Sequence, residues 1–175
     1  SGNTPAMAQG ASSRQIKRDE PIGIDYGVGV DGYLADQFRT FVIGDLPPDL
    51  EEAHHCSKQI HDLFLKEARP GVSCAYLYTL SKDAASQAGL GEYFMGHGEG
   101  QVRFIGHGIG LEIDEFPVIA PGFDEALAPG MVLAFEPKFV FPGKGVVGME
   151  DDYLVTSSGV ERITLTEQAL IKLGP

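Results

Sequence analysis

Cysteine is scarce in this chain, with Cys56 and Cys74 the only two among 175 residues. Two are too few for a disulfide framework or a thiolate zinc site, and both read as reduced thiols on helices. Basic residues are also in short supply, 13 Lys and Arg against 25 Asp and Glu, leaving a formal net charge of −12. That balance argues against a nucleic-acid partner, whose phosphates need a basic face. No apolar run approaches ~18 residues, so no transmembrane helix and no membrane partner are expected. The opening SGNTPAMAQG lacks the charged and apolar regions of a secretory signal, and a cytoplasmic location is expected. No GxSxG occurs and neither cysteine has an obvious base beside it, so no protein nucleophile stands out.

What is present is a domain's worth of chain with 43% hydrophobic residues, enough for a real core. The apolar and aromatic runs Ile22–Tyr26 and Tyr33–Phe41 flank Gly29-Val30-Asp31-Gly32, which predicts a β-hairpin. A turn centred between Val30 and Asp31 sets Asp25 opposite Asp36. Directly opposed carboxylates repel and weaken a ladder, and a metal ion between them is the simplest remedy. A second hairpin is predicted from Met131–Phe141 and Val146–Val155 around Pro142-Gly143-Lys144-Gly145. It brings Glu136 and Glu150 opposite each other to within about one residue. His107, in Gly106-His107-Gly108-Ile109-Gly110, lies between the hairpins in the chain. Four carboxylates and one imidazole are a plausible ligand set for two divalent ions. They suit Mn²⁺, Co²⁺, Fe²⁺ or Zn²⁺ better than a thiolate-selected ion.

One helix is expected from Asp49, as N-cap with Glu52 in capping-box position, to about Ala68. A second, capped by Ser73, should cover 75–87. His54, His55 and His61 fall on the first helix and read as surface or boundary residues without a ligand role. His97, in a similar glycine-flanked setting to His107, has no acidic strand partner. Helices beside hairpins, without βαβ alternation, predict an α+β fold with an antiparallel sheet.

Five motifs in order carry a resemblance: IDYG, the run Asp36-Gln37-Phe38-Arg39-Thr40-Phe41, GHGIGLE, Pro129-Gly130-Met131 leading to Phe135-Glu136-Pro137, and Met149-Glu150-Asp151-Asp152. Together they resemble the pita-bread metallopeptidases, the fold of aminopeptidase P, prolidase, methionine aminopeptidase and creatinase. FEPKFVFPGKG and the LVTSSGVERIT tail bring the proline-specific branch nearest. The resemblance implies a curved, mostly antiparallel sheet with flanking helices. It also implies that residues 1–175 are most of one catalytic domain, without its first elements or the family's N-terminal domain.

The implied activity is hydrolysis of an N-terminal peptide bond ahead of proline, by a water bridging two divalent ions, Mn²⁺ first among them. Asp25 would bind one ion, and Asp36 and Glu150 would bridge both. His107 and Glu136 would bind the second, Glu136 also relaying a proton. The implied partners are a peptide with proline at its second position and a second copy of the chain in a homodimer. Three family histidines are replaced, by Gln9, Arg103 and Asp114. Asp114 puts negative charge where an oxyanion would develop, unless it pairs with Arg103 or reads a positive group on the substrate. Two alternatives follow: a metal-binding module without peptidase activity, and a creatinase-like hydrolase or lyase of a small C–N substrate. The full ligand set weighs against the latter, because creatinases of this fold work without metal.

Overall fold

A computed structural model describes residues 13–174; Gln9 lies outside them. The described chain is a mixed α+β fold whose order is β1 (Ile22–Val30), β2 (Tyr33–Ile43), α1 (Pro48–Glu67), α2 (Cys74–Gln87), β3 (Gly106–Gly108), β4 (Glu115–Val118), β5 (Val132–Phe135), β6 (Lys138–Phe141), β7 (Gly145–Gly148), β8 (Asp151–Val155), β9 (Val160–Arg162) and β10 (Ile171–Leu173). Three sheets result, ordered β1-β2-β10, β4-β3-β5-β8-β9 and β6-β7. All pairs are antiparallel except β2 with β10.

The first hairpin turns one residue later than the sequence suggests. Asp31 and Gly32 both take positive φ, 52° and 89°, the backbone that a two-residue type I′ turn requires and Asp-Gly supplies. Val30 therefore pairs with Tyr33, Asp25 with Phe38, and Asp36 with Gly27. Asp25 and Asp36 are diagonal rather than opposed, yet still share a face, because the shift preserves the alternation of side chains.

In the second hairpin one register runs through both ladders. Phe135 pairs with Asp151, and Lys138 with Gly148. Continuing that register across the gap sets Glu136 against Glu150. Glu150 instead bridges to Phe38 of β2, its N–H donating to the Phe38 carbonyl at 3.1 Å. The break between the ladders is where the two hairpins meet.

Helix α1 lies over that break, with Leu50, Ala53, Cys56, Ile60 and Phe64 in the main core. Phe64 stacks on Phe135 with centroids 4.1 Å apart. Ser57 Oγ donates to the Pro137 carbonyl at 2.6 Å, and His61 Nε2 lies 3.2 Å from the Met149 carbonyl. The helix starts with Pro48 at its first position and has no side-chain cap. Proline has no N–H to leave unsatisfied and its φ is preset for a helix. Asp49, expected as the cap, instead pairs with Lys144. Ser73 does cap α2, accepting from Tyr76 N at 3.2 Å. Cys56 and Cys74 are free and buried, and burial pushes both thiols up to about 11. No helix among the described residues is long and apolar enough to cross a membrane.

Candidate functional site

Glycine on both sides of His107 reflects crowding around β3, which runs between β4 and β5. A Cβ at Gly106 would lie 2.4 Å from the Ala134 carbonyl oxygen, and one at Gly108 2.4 Å from that of Phe116. Only backbone without side chains fits there, and the imidazole of His107 is held on a buried, crowded strand. Its Nδ1 lies 3.0 Å from the Gly108 carbonyl. A carbonyl accepts only, so Nδ1 carries a proton, and in the neutral ring Nε2 then offers its lone pair.

That lone pair points at acids. Asp114 Oδ1 is 3.1 Å from His107 Nε2, and Glu136 Oε1 is 3.7 Å away. Donor atoms of Asp36, His107 and Glu150 all lie within 4.8 Å of one another. Acceptors facing acceptors call for a positive charge between them. Hard oxygens with one imidazole fit a divalent ion at this end of the cluster.

The other end is arranged differently. Lys138 Nζ lies 2.7 Å from Glu150 Oε2, 3.0 Å from Glu136 Oε2 and 3.5 Å from Asp25 Oδ2. Burial disfavours its charge, but Glu136, Glu150 and Asp25 outweigh that and hold its pKa well above the usual lysine range. Asp36, half-buried on β2, has its pKa raised by burial and then by the charge of Asp25.

Beneath these carboxylates runs a buried network. Arg39 Nη2 donates to Asp151 Oδ1 at 2.6 Å, both side chains being essentially inaccessible. Arg39 Nη1 donates to the Glu150 carbonyl at 2.6 Å. Thr164 Oγ1 and Gln168 Nε2 complete Asp151, each at 2.7 Å. Asp152 Oδ2 accepts from Asp36 N at 3.1 Å, while its buried Oδ1 has no hydrogen-bond partner among the described residues. Burial pushes Asp152 up to about 7.

The structure thus gathers Asp25, Asp36, His107, Glu136 and Glu150 around Lys138 and the His107 ring. It does not pair Arg103 with Asp114: Arg103 is exposed, and among the described residues it forms no ion pair with Asp114, which faces His107 instead. His97 pairs with Glu92 and stacks on Tyr93, outside the cluster. His54 and His61 are buried rather than superficial. His61 fits between Tyr153 Oη at 2.7 Å and the Met149 carbonyl, and burial pulls both imidazoles down to about 4. Lys138 and Asp152 are site neighbours that no motif in the sequence singles out. For Lys138 the available signal was its position two residues after Glu136, on the same side of an extended strand.

A cavity of about 740 Å³ opens beside His107. Leu111, Phe116 and Val118 give it apolar walls, and Glu112, Asp114 and Glu115 an acidic lining.

Similarity to known proteins fits this architecture. The sequence profile of metallopeptidase family M24 matches residues 1–157, and the chain belongs to that family. Among curated relatives, the Xaa-Pro dipeptidase of Pyrococcus furiosus is 32% identical over 172 residues, 98% of this chain and 47% of the relative. The Xaa-Pro dipeptidase of Lactobacillus delbrueckii subsp. lactis is 32% identical over 162 residues, 93% and 42% respectively. Among solved structures, a dipeptidase from Pyrococcus horikoshii OT3 superposes with a TM-score of 0.88 at 32% identity, covering 97% of this chain and 46% of that one. An X-Pro aminopeptidase from Thermotoga maritima MSB8 gives 0.88 at 29% identity, covering 97% and 46%. The fold is the pita-bread fold of these peptidases. The chain spans about half the length of the curated relatives it matches.

Proposed function

We propose that this chain carries the site of a metal-dependent exopeptidase that cleaves ahead of proline, on an Xaa-Pro dipeptide or at the N-terminus of a longer peptide. The observation that carries this reading is the convergence of Asp36, His107 and Glu150 donor atoms within 4.8 Å, in a family M24 chain similar to proteins named Xaa-Pro dipeptidases. A divalent ion bound there, Mn²⁺ first and Co²⁺, Zn²⁺ or Fe²⁺ as alternatives, would supply Lewis-acid polarisation of a carbonyl and a lowered pKa for water. Asp36, His107 and Glu150 would hold it. Glu136, with Oε1 3.7 Å from His107 Nε2, would take the proton of the attacking water and return it to the leaving nitrogen. The acidic lining of the cavity suits the ammonium of a peptide N-terminus, and its apolar walls suit a proline ring.

The test is release of proline from Xaa-Pro dipeptides, and of the first residue from Xaa-Pro-Yaa tripeptides, by full-length protein supplied with Mn²⁺. Turnover is expected, falling at least about 100-fold in Asp36→Asn, more than an outer partner of a metal site usually costs. Equal turnover in the variant would sink the proposal. Absence of turnover with Mn²⁺, Co²⁺ or Zn²⁺ would favour the second reading, a metal-binding module without peptidase activity. One observation favours that reading: Asp114, 3.1 Å from His107 Nε2, carries negative charge where an oxyanion would need a donor.

A further inference from the structure

Lys138 reaches the carboxylates from the strand that follows Glu136, and three of the four acids assigned to metal already meet its ammonium. The distances are 2.7 Å to Glu150, 3.0 Å to Glu136 and 3.5 Å to Asp25. Its side chain is only 13% exposed, and Nζ lies over the Phe38 ring, 4.6 Å from the centroid. Phe38 is itself fully buried and is the residue paired with Asp25. The stem is therefore packed, and the head group is aimed at the acids from a built position. It gives each carboxylate a charge-assisted hydrogen bond of the kind a metal ion would otherwise replace. Positive charges a few ångströms apart, with little water between them, repel strongly. A divalent ion and this ammonium do not share the space among Asp25, Glu136 and Glu150. At the His107 end the imidazole turns Nε2 towards two acids, Asp114 and Glu136.

We propose that Lys138 is a tethered cation standing in for one of the two divalent ions, so that the protein takes up a single ion, at the Asp36, His107 and Glu150 end. This rests on the metal-dependent reading above and makes it specific. Asp25 becomes the partner of Lys138 rather than a metal ligand, and Glu150 and Glu136 are shared between the two cations.

The test loads full-length protein with Mn²⁺ alone and reads ions per chain by elemental analysis and coupling by electron paramagnetic resonance. Two ions ~3.5–4 Å apart couple magnetically, whereas one isolated Mn²⁺ gives a six-line spectrum. The wild type is expected to hold one uncoupled ion. Lys138→Met, which keeps the stem over Phe38 and removes the charge, is expected to hold two coupled ions. Lys138→Arg, which keeps the charge, is expected to stay at one. Near-ultraviolet circular dichroism matching the wild type shows that each variant is folded. Two coupled ions in the wild type would overturn the tethered-cation proposal and leave the metal-dependent reading standing. A single ion in folded Lys138→Met would overturn it in the same way. No ion in any of the three proteins would overturn both.

Discussion

The two hairpins each bring a pair of acids to one site, but they hold them in opposite ways. β1 is an edge strand with most of its residues exposed, and Asp25 projects from it with its side chain 29% exposed. β5 and β8 lie inside the five-stranded sheet, and Glu150, at the break beside β8, is 2% exposed. The acid on the edge is set by its own hairpin and met by one lysine. The buried acid is set by partners from three other elements: Phe38 and Arg39 of β2 on its backbone, His61 of α1 on the neighbouring carbonyl, and Lys138 of β6 on its carboxylate. An acid on a solvated strand needs little support, whereas a buried one has to be satisfied at every polar atom. Substitutions should therefore be costly around β8 and cheap on β1.

The largest effect is expected where the two hairpins are tied together. Arg39→Met strips the Asp151 carboxylate of its buried cation and should cost about 3–5 kcal/mol in urea unfolding. Adding Asp151→Leu should recover much of that loss, since an apolar pair of similar volume often replaces a buried ion pair without penalty. If the double variant is no better than Arg39→Met alone, the pair is not what joins the hairpins. Next comes metal affinity. Glu150→Gln should weaken Mn²⁺ binding by more than about 100-fold, whereas Asp25→Asn should cost less than about 10-fold, because Asp25 meets Lys138. Equal losses in the two variants would erase the contrast between the hairpins.

His61 supplies the third test. A carbonyl cannot donate, so Nε2–H donates to Met149 and Nδ1 accepts from the Tyr153 hydroxyl. His61→Leu leaves the Met149 carbonyl short of a donor and should cost about 1–3 kcal/mol. The pH dependence has a fixed sign. Burial pulls the folded imidazole down to about 4 from about 6.5 in the unfolded chain. Between those values the unfolded state binds the extra proton, so stability falls as the pH falls through that window, by up to about 3 kcal/mol. Asp152, raised to about 7, works in the opposite direction: the folded state holds its proton, and stability rises as the pH falls from 7 towards 4. Subtracting the His61→Leu profile from that of the metal-free wild type isolates the histidine. A flat difference would show that His61 is not held neutral in the fold.

Much of this was legible in the sequence where local rules decide, and less where distant contacts do. The Glu136/Glu150 register could be read to within one residue from the short loop around 142–145; the structure closes it one position tighter, with Gly145 already paired to Phe141. The first hairpin came out one turn position early, since the choice lay between Val30-Asp31 and Asp31-Gly32, and only the latter has a glycine for the second positive φ. The observed register moves Asp25 from opposite Asp36 to diagonal and leaves both on one face. Asp49 looked like a cap, but proline started the helix without one. His61 looked superficial because its partners, Tyr153 and Met149, are about ninety residues away in the chain. The motifs named the acids and His107. They did not show that Lys138 would occupy the middle of the group, because that depends on two hairpins meeting at Phe38 and Glu150.

The smallest effect is expected on the outer face of β1. Alternation puts Asp25 and Gly27 on the face shared with Asp36, and Val28 on the other. At Gly27 an added Cβ would touch Ile113 at 3.4 Å, so the segment carrying Asp114 closes over the site face. Val28 is 51% exposed, so Val28→Thr removes little buried surface and keeps a β-branched residue in the strand. Its cost should stay within about 0.5 kcal/mol. A measured loss above about 1 kcal/mol in the full-length protein would mean that something covers this face. The tolerance of the first hairpin would then be a property of the isolated edge, and Asp25 would be held as firmly as Glu150 once that cover is in place.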